Sequence, residues 1–299
     1  MIDPNLSERV PDWFREAVLA SEAIAARQPF FVVGCQKSGT TWIQLLLDAH
    51  PQAACGGEGH FTDILAPAFH HAFRAYNDQI RANCKLTDGQ LHAAYRLTVD
   101  RHLAGYLARK PDPASVLAVG DKTPEGALAL PLLASMYPAA RFVHVIRDGR
   151  DGCVSGWAHL GRQNEQERFG SFAEYAGYFA QSHWVSYITA ARSAAASIPG
   201  RYIELRYEDM LDRPEPEAGR LLGFLGLDAT DDAIAACLRA SDFDRLSGGR
   251  RRGESDDSSH FRRGIAGAWT EQFDARAIEA FEREAGELLD GLGYARGAA

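Results

Sequence analysis

Three stretches of the chain gather residues of the kinds that hold and move charged groups. Lys37, Ser38, Gly39, Thr40 and Thr41 follow an apolar run in "FFVVGCQKSGTTW" (30–42). Arg147 ends a second apolar run, and Ser155 follows eight residues later in "RFVHVIRDGRDGCVSGW" (141–157). Arg262, Arg263 and Gly264 stand in "FRRGIAGAW" (261–269). A strand that runs through a glycine turn into a helix points backbone N–H groups and the positive end of the helix dipole at an anion. The phosphate loop of nucleoside triphosphatases places its lysine after the second glycine, directly before Ser or Thr. Here Lys37 precedes Gly39 by two residues, and Thr40 and Thr41 follow it. The expected chemistry is oxyanion binding by a loop with a displaced cation. An ordinary capped strand-to-helix turn gives the same local pattern, and Arg147 has Asp148 and Asp151 nearby as alternative partners.

The elements that must position these residues are legible in outline. The 299 residues are 46% hydrophobic and 24% charged, enough to bury a full core, and one domain over 1–299 is expected. A net charge of -8 argues against a nucleic-acid binder, so any anion site is a local basic cluster. Cysteines 35, 55, 84, 153 and 237 lack CxxC spacing, which points to reduced thiols and no metal centre. No apolar run reaches the ~20 residues of a membrane span, and "MIDPNLSERVPDWF" (1–14) lacks a signal-peptide pattern. A cytoplasmic protein without membrane insertion is the expectation.

Continuous apolar runs at 29–34, 115–120, 141–147 and 201–207 read as buried parallel strands. Helical patterns fall at 40–50, 124–137 with a kink at Pro131, 171–197 and 215–226. The alternation implies an α/β fold with a mostly parallel sheet flanked by helices. The Gly-, Ser- and charge-rich stretch 245–267 reads as a mobile loop, about 245–263, that orders over ligand.

The order "QKSGTTW", "VIRDGRDGCVS", "FRRGIAGAW" resembles the sulfotransferases that use 3′-phosphoadenosine 5′-phosphosulfate (PAPS), and the resemblance covers most of the chain. It implies their P-loop-like fold. It also implies that Lys37, Ser38, Gly39, Thr40 and Thr41 hold the 5′-phosphosulfate, while Arg147 and Ser155 hold the 3′-phosphate. Arg262, Arg263 and Gly264 would close on that phosphate. Trp42 matches a tryptophan that stacks on adenine, although by periodicity it fits the core equally well. Tyr207, ending "RYIELRY", falls where related enzymes place a tyrosine near adenine.

The histidine base of the cytosolic branch is missing from the corresponding "GDKTPEG" (120–126). By contrast "LLLDAHPQAACGGEGHF" (45–61) resembles the protein-tyrosine sulfotransferases, whose catalytic glutamate maps to Glu58. The same match makes Lys122 a second cation at the sulfuryl group. A solvated loop is the alternative for Glu58, and a pair with Asp121 or Glu125 the alternative for Lys122. The arginine that follows the glutamate in those enzymes is His60 here. His60, His70, His71, His159 and Trp157 are candidates for the acceptor pocket, within an aromatic-rich stretch 157–184 that otherwise reads as core.

The function implied is sulfuryl transfer from PAPS to a hydroxyl, or as second choice an amine, of a small-molecule, carbohydrate or lipid acceptor. Glu58 would be the base, adenosine 3′,5′-bisphosphate (PAP) the product, and no metal would be needed. A nucleotide-dependent phosphotransferase on a related loop fold and a non-catalytic nucleotide-binding regulator are the competing readings. No "KTVE"-like dimer motif of the cytosolic branch occurs near the C-terminus, so the oligomeric state is open.

Overall fold

The computed structural model describes residues 10–256, 258–259 and 261–297. The N-terminal reading therefore falls largely outside the described residues, as do Asp257 and His260 of the 245–263 loop.

Five strands form one sheet: β1 Gln28–Gly34, β2 Ala53–Gly57, β3 Ala118–Lys122, β4 Arg141–Ile146 and β5 Tyr202–Arg206. All neighbours are parallel, in the order β2-β3-β1-β4-β5. Side chains alternate across the sheet with the period of two that a strand imposes. Phe31, Val33, Val119, Phe142 and Ile146 enter one core. Phe30, Val32, Ala118, Val143 and Val145 enter the other. The first face is covered by helices Asp12–Ala25, Asp88–Leu107, Phe172–Phe179, Ser186–Ala195 and Ala275–Gly291, and the second by Thr40–Ala49, Pro214–Leu225 and Asp231–Ala240. With both faces covered, each strand reads as a nearly continuous apolar run.

The register lines up the carboxyl ends. Lys122 pairs with both Val32 and Gly57, Gly34 with Val145, and Ile146 with Arg206. From central β1 the chain moves first toward β2 and β3 and later to β4 and β5, so the order reverses beside β1. That reversal is where open α/β sheets bind ligands.

Several sequence expectations shift. The third strand is 118–122 rather than 115–120, because Asp112 caps a short turn at Pro113–Ser115 and delays strand entry. The expected 124–137 helix is a 3-10 segment, Pro124–Ala129, followed by the helix Leu130–Met136. Pro131 sits in the first turn of that helix instead of kinking it, since its missing N–H costs nothing there. The 171–197 helix contains a wider π segment at Ala180–Val185. Tyr207 opens a helix, Tyr207–Asp212, rather than ending β5. Among the described residues no helix is long and apolar enough to cross a membrane.

Candidate active site

Each strand delivers a side chain, or the start of a loop, to the same end of the sheet. After β1, Lys37 (φ 66°) and Gly39 (φ 98°) adopt left-handed backbone before the helix Thr40–Ala49. A Cβ on Gly39 would lie 2.6 Å from Cδ2 of Tyr207, so glycine meets both the backbone angle and the approach of that ring. After β4, Arg147 donates to Lys37 O at 3.2 Å and to Ile265 O at 3.0 Å. Its guanidinium lies 4.3 Å above the Tyr207 ring, and Trp42 meets that ring edge-on at 5.6 Å. Arg147 Nε and Ser38 Oγ are buried without a hydrogen-bond partner.

Neither neighbouring aspartate takes Arg147 as its main partner. Asp148 caps the helix Gly149–Arg162 and is gripped by Arg150 at 3.0 and 2.8 Å. Asp151, fully buried, accepts from the Gly267 and Trp269 amides at 2.8 and 2.9 Å, with Arg147 at 3.7 Å. Burial raises the Asp151 pKa, and the nearby Arg147 charge and these amide donors oppose that.

On the β2–β3 side, Glu58 (φ 57°) follows β2 directly. Its Oε1 receives Lys122 Nζ at 2.6 Å, and its amide donates to Lys122 O at 2.6 Å. The Lys122 side chain is 3% exposed and that of Glu58 52%. Asp121 is not the partner of Lys122, because Gly59 N (3.1 Å), Tyr106 OH (2.9 Å) and Thr123 Oγ1 (2.7 Å) already occupy its carboxylate. Burial raises the Asp121 pKa, and those three donors pull against it.

Lys37 is pushed down to about 8, first by burial and then by the charge of Arg162; Lys122 adds to this, while Glu58 and Glu125 oppose it. His60 moves the other way: burial lowers its pKa, but its 2.7 Å bond to Asp63 more than offsets that. His60, Asp63 and Glu125 each place one ligand atom within 4.8 Å of the others, donor types that a divalent ion accepts.

These residues surround one cavity of about 370 Å³. Lys37, Gly39, Thr40, Thr41, Trp42, Glu58, His60, Arg147, Ser155, His159, Tyr207, Arg262, Arg263 and Gly264 all line it. Ser38 and Lys122 stand behind the lining, buried at 3% and 2% exposure. Trp157 does not reach the cavity, since it packs on Phe172 and Tyr175. His70 and His71 lie exposed on the helix Ala66–Gln79, outside the lining.

The sequence reading missed Gln36, Glu125, Phe243 and Arg252, which also line the cavity. Arg252 lies 5.4 Å above the Trp42 ring and donates to Gly264 O at 3.1 Å. Arg250 donates to Arg262 O at 2.9 Å and Phe261 O at 2.5 Å, folding 250–264 back on itself. The arginine run 250–252 was the available signal, but charge alone does not say which guanidinium faces inward.

Known proteins resemble this chain in sequence and in fold. A family model described as "Sulfotransferase family" matches residues 29–232. A putative protein-tyrosine sulfotransferase of Caenorhabditis briggsae is 27% identical over 203 residues, covering 67% of this chain and 66% of that protein. Protein-tyrosine sulfotransferase 1 of Danio rerio is 25% identical over 205 residues, covering 68% and 54%. The chain thus spans between about half and two thirds of the length of these relatives. Mouse sulfotransferase SULT7A1, solved in complex with PAP, superposes with TM-score 0.58 at 17% identity over 92% of this chain and 88% of that one. Sulfotransferase STF9 of Mycobacterium avium gives TM-score 0.52 at 16% identity, over 96% and 82%. The structures share the α/β fold, and the family match takes in Lys37, Glu58, Lys122, Arg147 and Tyr207. The chain belongs to the sulfotransferase family.

Proposed function

We propose that this protein transfers a sulfuryl group from PAPS to a hydroxyl of a small-molecule, carbohydrate or lipid acceptor. The supporting observation is the convergence on one cavity of Lys37, Glu58 with Lys122 behind it, and Arg147 over Tyr207, all from aligned strand ends. The cavity chemistry fits such a donor. Ser38 Oγ and Arg147 Nε are buried donors without partners, the N-terminal turn of a helix suits an anion, and Trp42, Tyr207 and Phe243 offer flat apolar walls for a purine. Bound there, the donor supplies a sulfuryl group on a phosphosulfate anhydride with a nucleoside bisphosphate as leaving group.

The chain's own residues then divide the work. Arg147 and Ser155, with Arg262, Arg263 and Gly264, hold the 3′-phosphate end. Lys37 stabilises charge developing on the sulfuryl or bridging oxygens, an electrostatic effect that is strongest in a water-poor site. Glu58 accepts the proton of the attacking hydroxyl, and Lys122 orients the carboxylate from beneath. A sulfuryl group carries about one negative charge less than a phosphoryl group, so less neutralisation is required than the metal-bridged phosphoryl case supplies. That accounts for a loop ending in Thr40-Thr41 rather than Lys-Ser/Thr.

Isothermal titration of PAP and of ATP with chelator present, repeated on Arg147→Ala, tests the reading. Tight metal-free binding of PAP that weakens sharply in the variant, with little ATP binding, is the expected result. Binding of ATP in preference to PAP, and only with magnesium, would return the loop to the phosphotransferases.

A further inference from the structure

Building on that function, we propose that Glu125 selects acceptors carrying a cationic ammonium group beside the hydroxyl that is sulfated. Glu125 lines the same cavity as Lys37 and Glu58, three residues past Lys122 on the turn after β3. Gln36 Nε2 donates to its Oε1 at 2.5 Å and fixes the carboxylate, while Oε2 is buried with no hydrogen-bond partner. The other carboxylates at this end are matched, Glu58 by Lys122 at 2.6 Å and Asp63 by His60 at 2.7 Å. Among the described residues no Lys, Arg or His nitrogen makes an ion pair with Glu125.

Three basic side chains lie in its field and none pairs with it: a His60 ring nitrogen stands within 4.8 Å of a Glu125 oxygen but is bonded to Asp63 at 2.7 Å. Lys37 senses the carboxylate without pairing to it, and in the proposed reaction its charge serves the sulfuryl oxygens. His183, whose Nδ1 is also buried and unpartnered, is held toward its neutral form by burial, which outweighs the pull of Glu125. A buried carboxylate oxygen without a donor is costly, and a ligand ammonium that reaches it removes that cost. An anionic acceptor would instead place a second negative charge beside Glu125. The occupant that completes the wall is therefore a cation, bound in the same cavity that Glu58 and Lys37 line.

The test offers PAPS and matched acceptor pairs, phenols, alkanols and sugars that differ only in a primary ammonium, and follows PAP release with chelator present. PAP affinity is measured separately by calorimetry. The ammonium member of an accepted pair is expected to show at least a tenfold higher kcat/KM, and Glu125→Gln to collapse that ratio toward unity. Glu125→Lys should invert it. Transfer to no ammonium-bearing member, a preference for neutral or anionic members, or a ratio unmoved by Glu125→Gln overturns the inference. A loss of turnover on both members of every pair overturns it as well, because it would make Glu125 part of the chemistry. Loss of PAP binding in the unmodified protein would instead sink the sulfotransferase reading, so the two failures are separable.

Discussion

Lys37 gives the most demanding test, because an ordinary lysine stays charged through mildly alkaline pH whereas Lys37 should lose its charge there. Burial and the neighbouring Arg162 charge push its pKa from 10.5 down to about 8. Its proposed work needs the charged form. At pH 7 about nine in ten molecules then carry the cation, and at pH 9 about one in ten. With donor subsaturating, kcat/KM reports the free enzyme, so it should fall about tenfold per pH unit above about 8. The assay is the initial rate of PAP release between about pH 6.5 and about pH 9.5 on the unmodified protein and on Lys37→Arg, whose guanidinium keeps its proton throughout. The alkaline limb should vanish in the variant. An independent readout comes from binding, since a polyanion beside Lys37 favours the protonated amine. PAP should therefore bind with uptake of about half a proton near pH 8, seen as a buffer-dependent heat. A flat profile to about pH 9.5, or an alkaline limb that survives Lys37→Arg, would refute the assignment.

Three further outcomes are expected. Glu58→Gln should lower turnover by about 10²–10⁴-fold while PAP affinity stays within about threefold; retained turnover would remove Glu58 as the base. Gly39→Ala forces a Cβ to 2.6 Å from the Tyr207 ring at φ 98°, a backbone cost of about 1–2 kcal/mol before the clash. PAP binding should weaken by about tenfold or more, and unchanged calorimetric affinity would show that the loop does not contact the nucleotide. Asp151→Ala orphans the Gly267 and Trp269 amides at about 1–3 kcal/mol each. A fall in Tm of about 5 °C or more is expected, and a melt within about 1 °C of the parent would mean that this tether is not stabilising.

The sequence was most readable where one physical demand governs a segment. β1 and β4 are apolar on both faces because both are covered, and their runs at 29–34 and 141–147 matched the strands to within a residue. β2 gave no such signal. Its "AACGG" is made of small residues because Tyr106 crosses it, and a Cβ on Gly56 would fall 2.0 Å from that ring. Motif spacing located Lys37, Arg147, Tyr207 and the 261–264 wall, all of which line the cavity. It could not separate Trp42, which does line it, from Trp157, which packs on Phe172 and Tyr175, since both are aromatic residues at helical spacing. Glu125 and Gln36 escaped because their pairing joins residues 89 apart in the chain.

The packing that hid β2 also explains how Glu58 is held. Because β2 carries no bulk at Gly56, the Tyr106 ring can cross it, and its hydroxyl reaches buried Asp121 at 2.9 Å. Asp121 in turn accepts the Gly59 amide at 3.1 Å, and Thr123, itself bonded to Asp121, accepts the His60 amide at 3.3 Å. These bonds fix the two residues that follow Glu58. They stabilise left-handed backbone at Glu58 and His60, conformations that cost about 1–3 kcal/mol each in non-glycine residues. Among the described residues only four non-glycine positions have positive φ, and Lys37, Glu58 and His60 are three of them, all on the cavity wall. The strain therefore sits where side chains must be aimed, and the small strand, the crossing tyrosine and the buried aspartate maintain it. Lys122, one residue from Asp121 on the same strand, then meets Glu58 at 2.6 Å with both backbones already set. A carboxylate on an unstrained surface loop would lose side-chain and backbone entropy on reaching that position. Here folding has already borne most of that cost, which is the preorganisation that the proposed proton transfer needs.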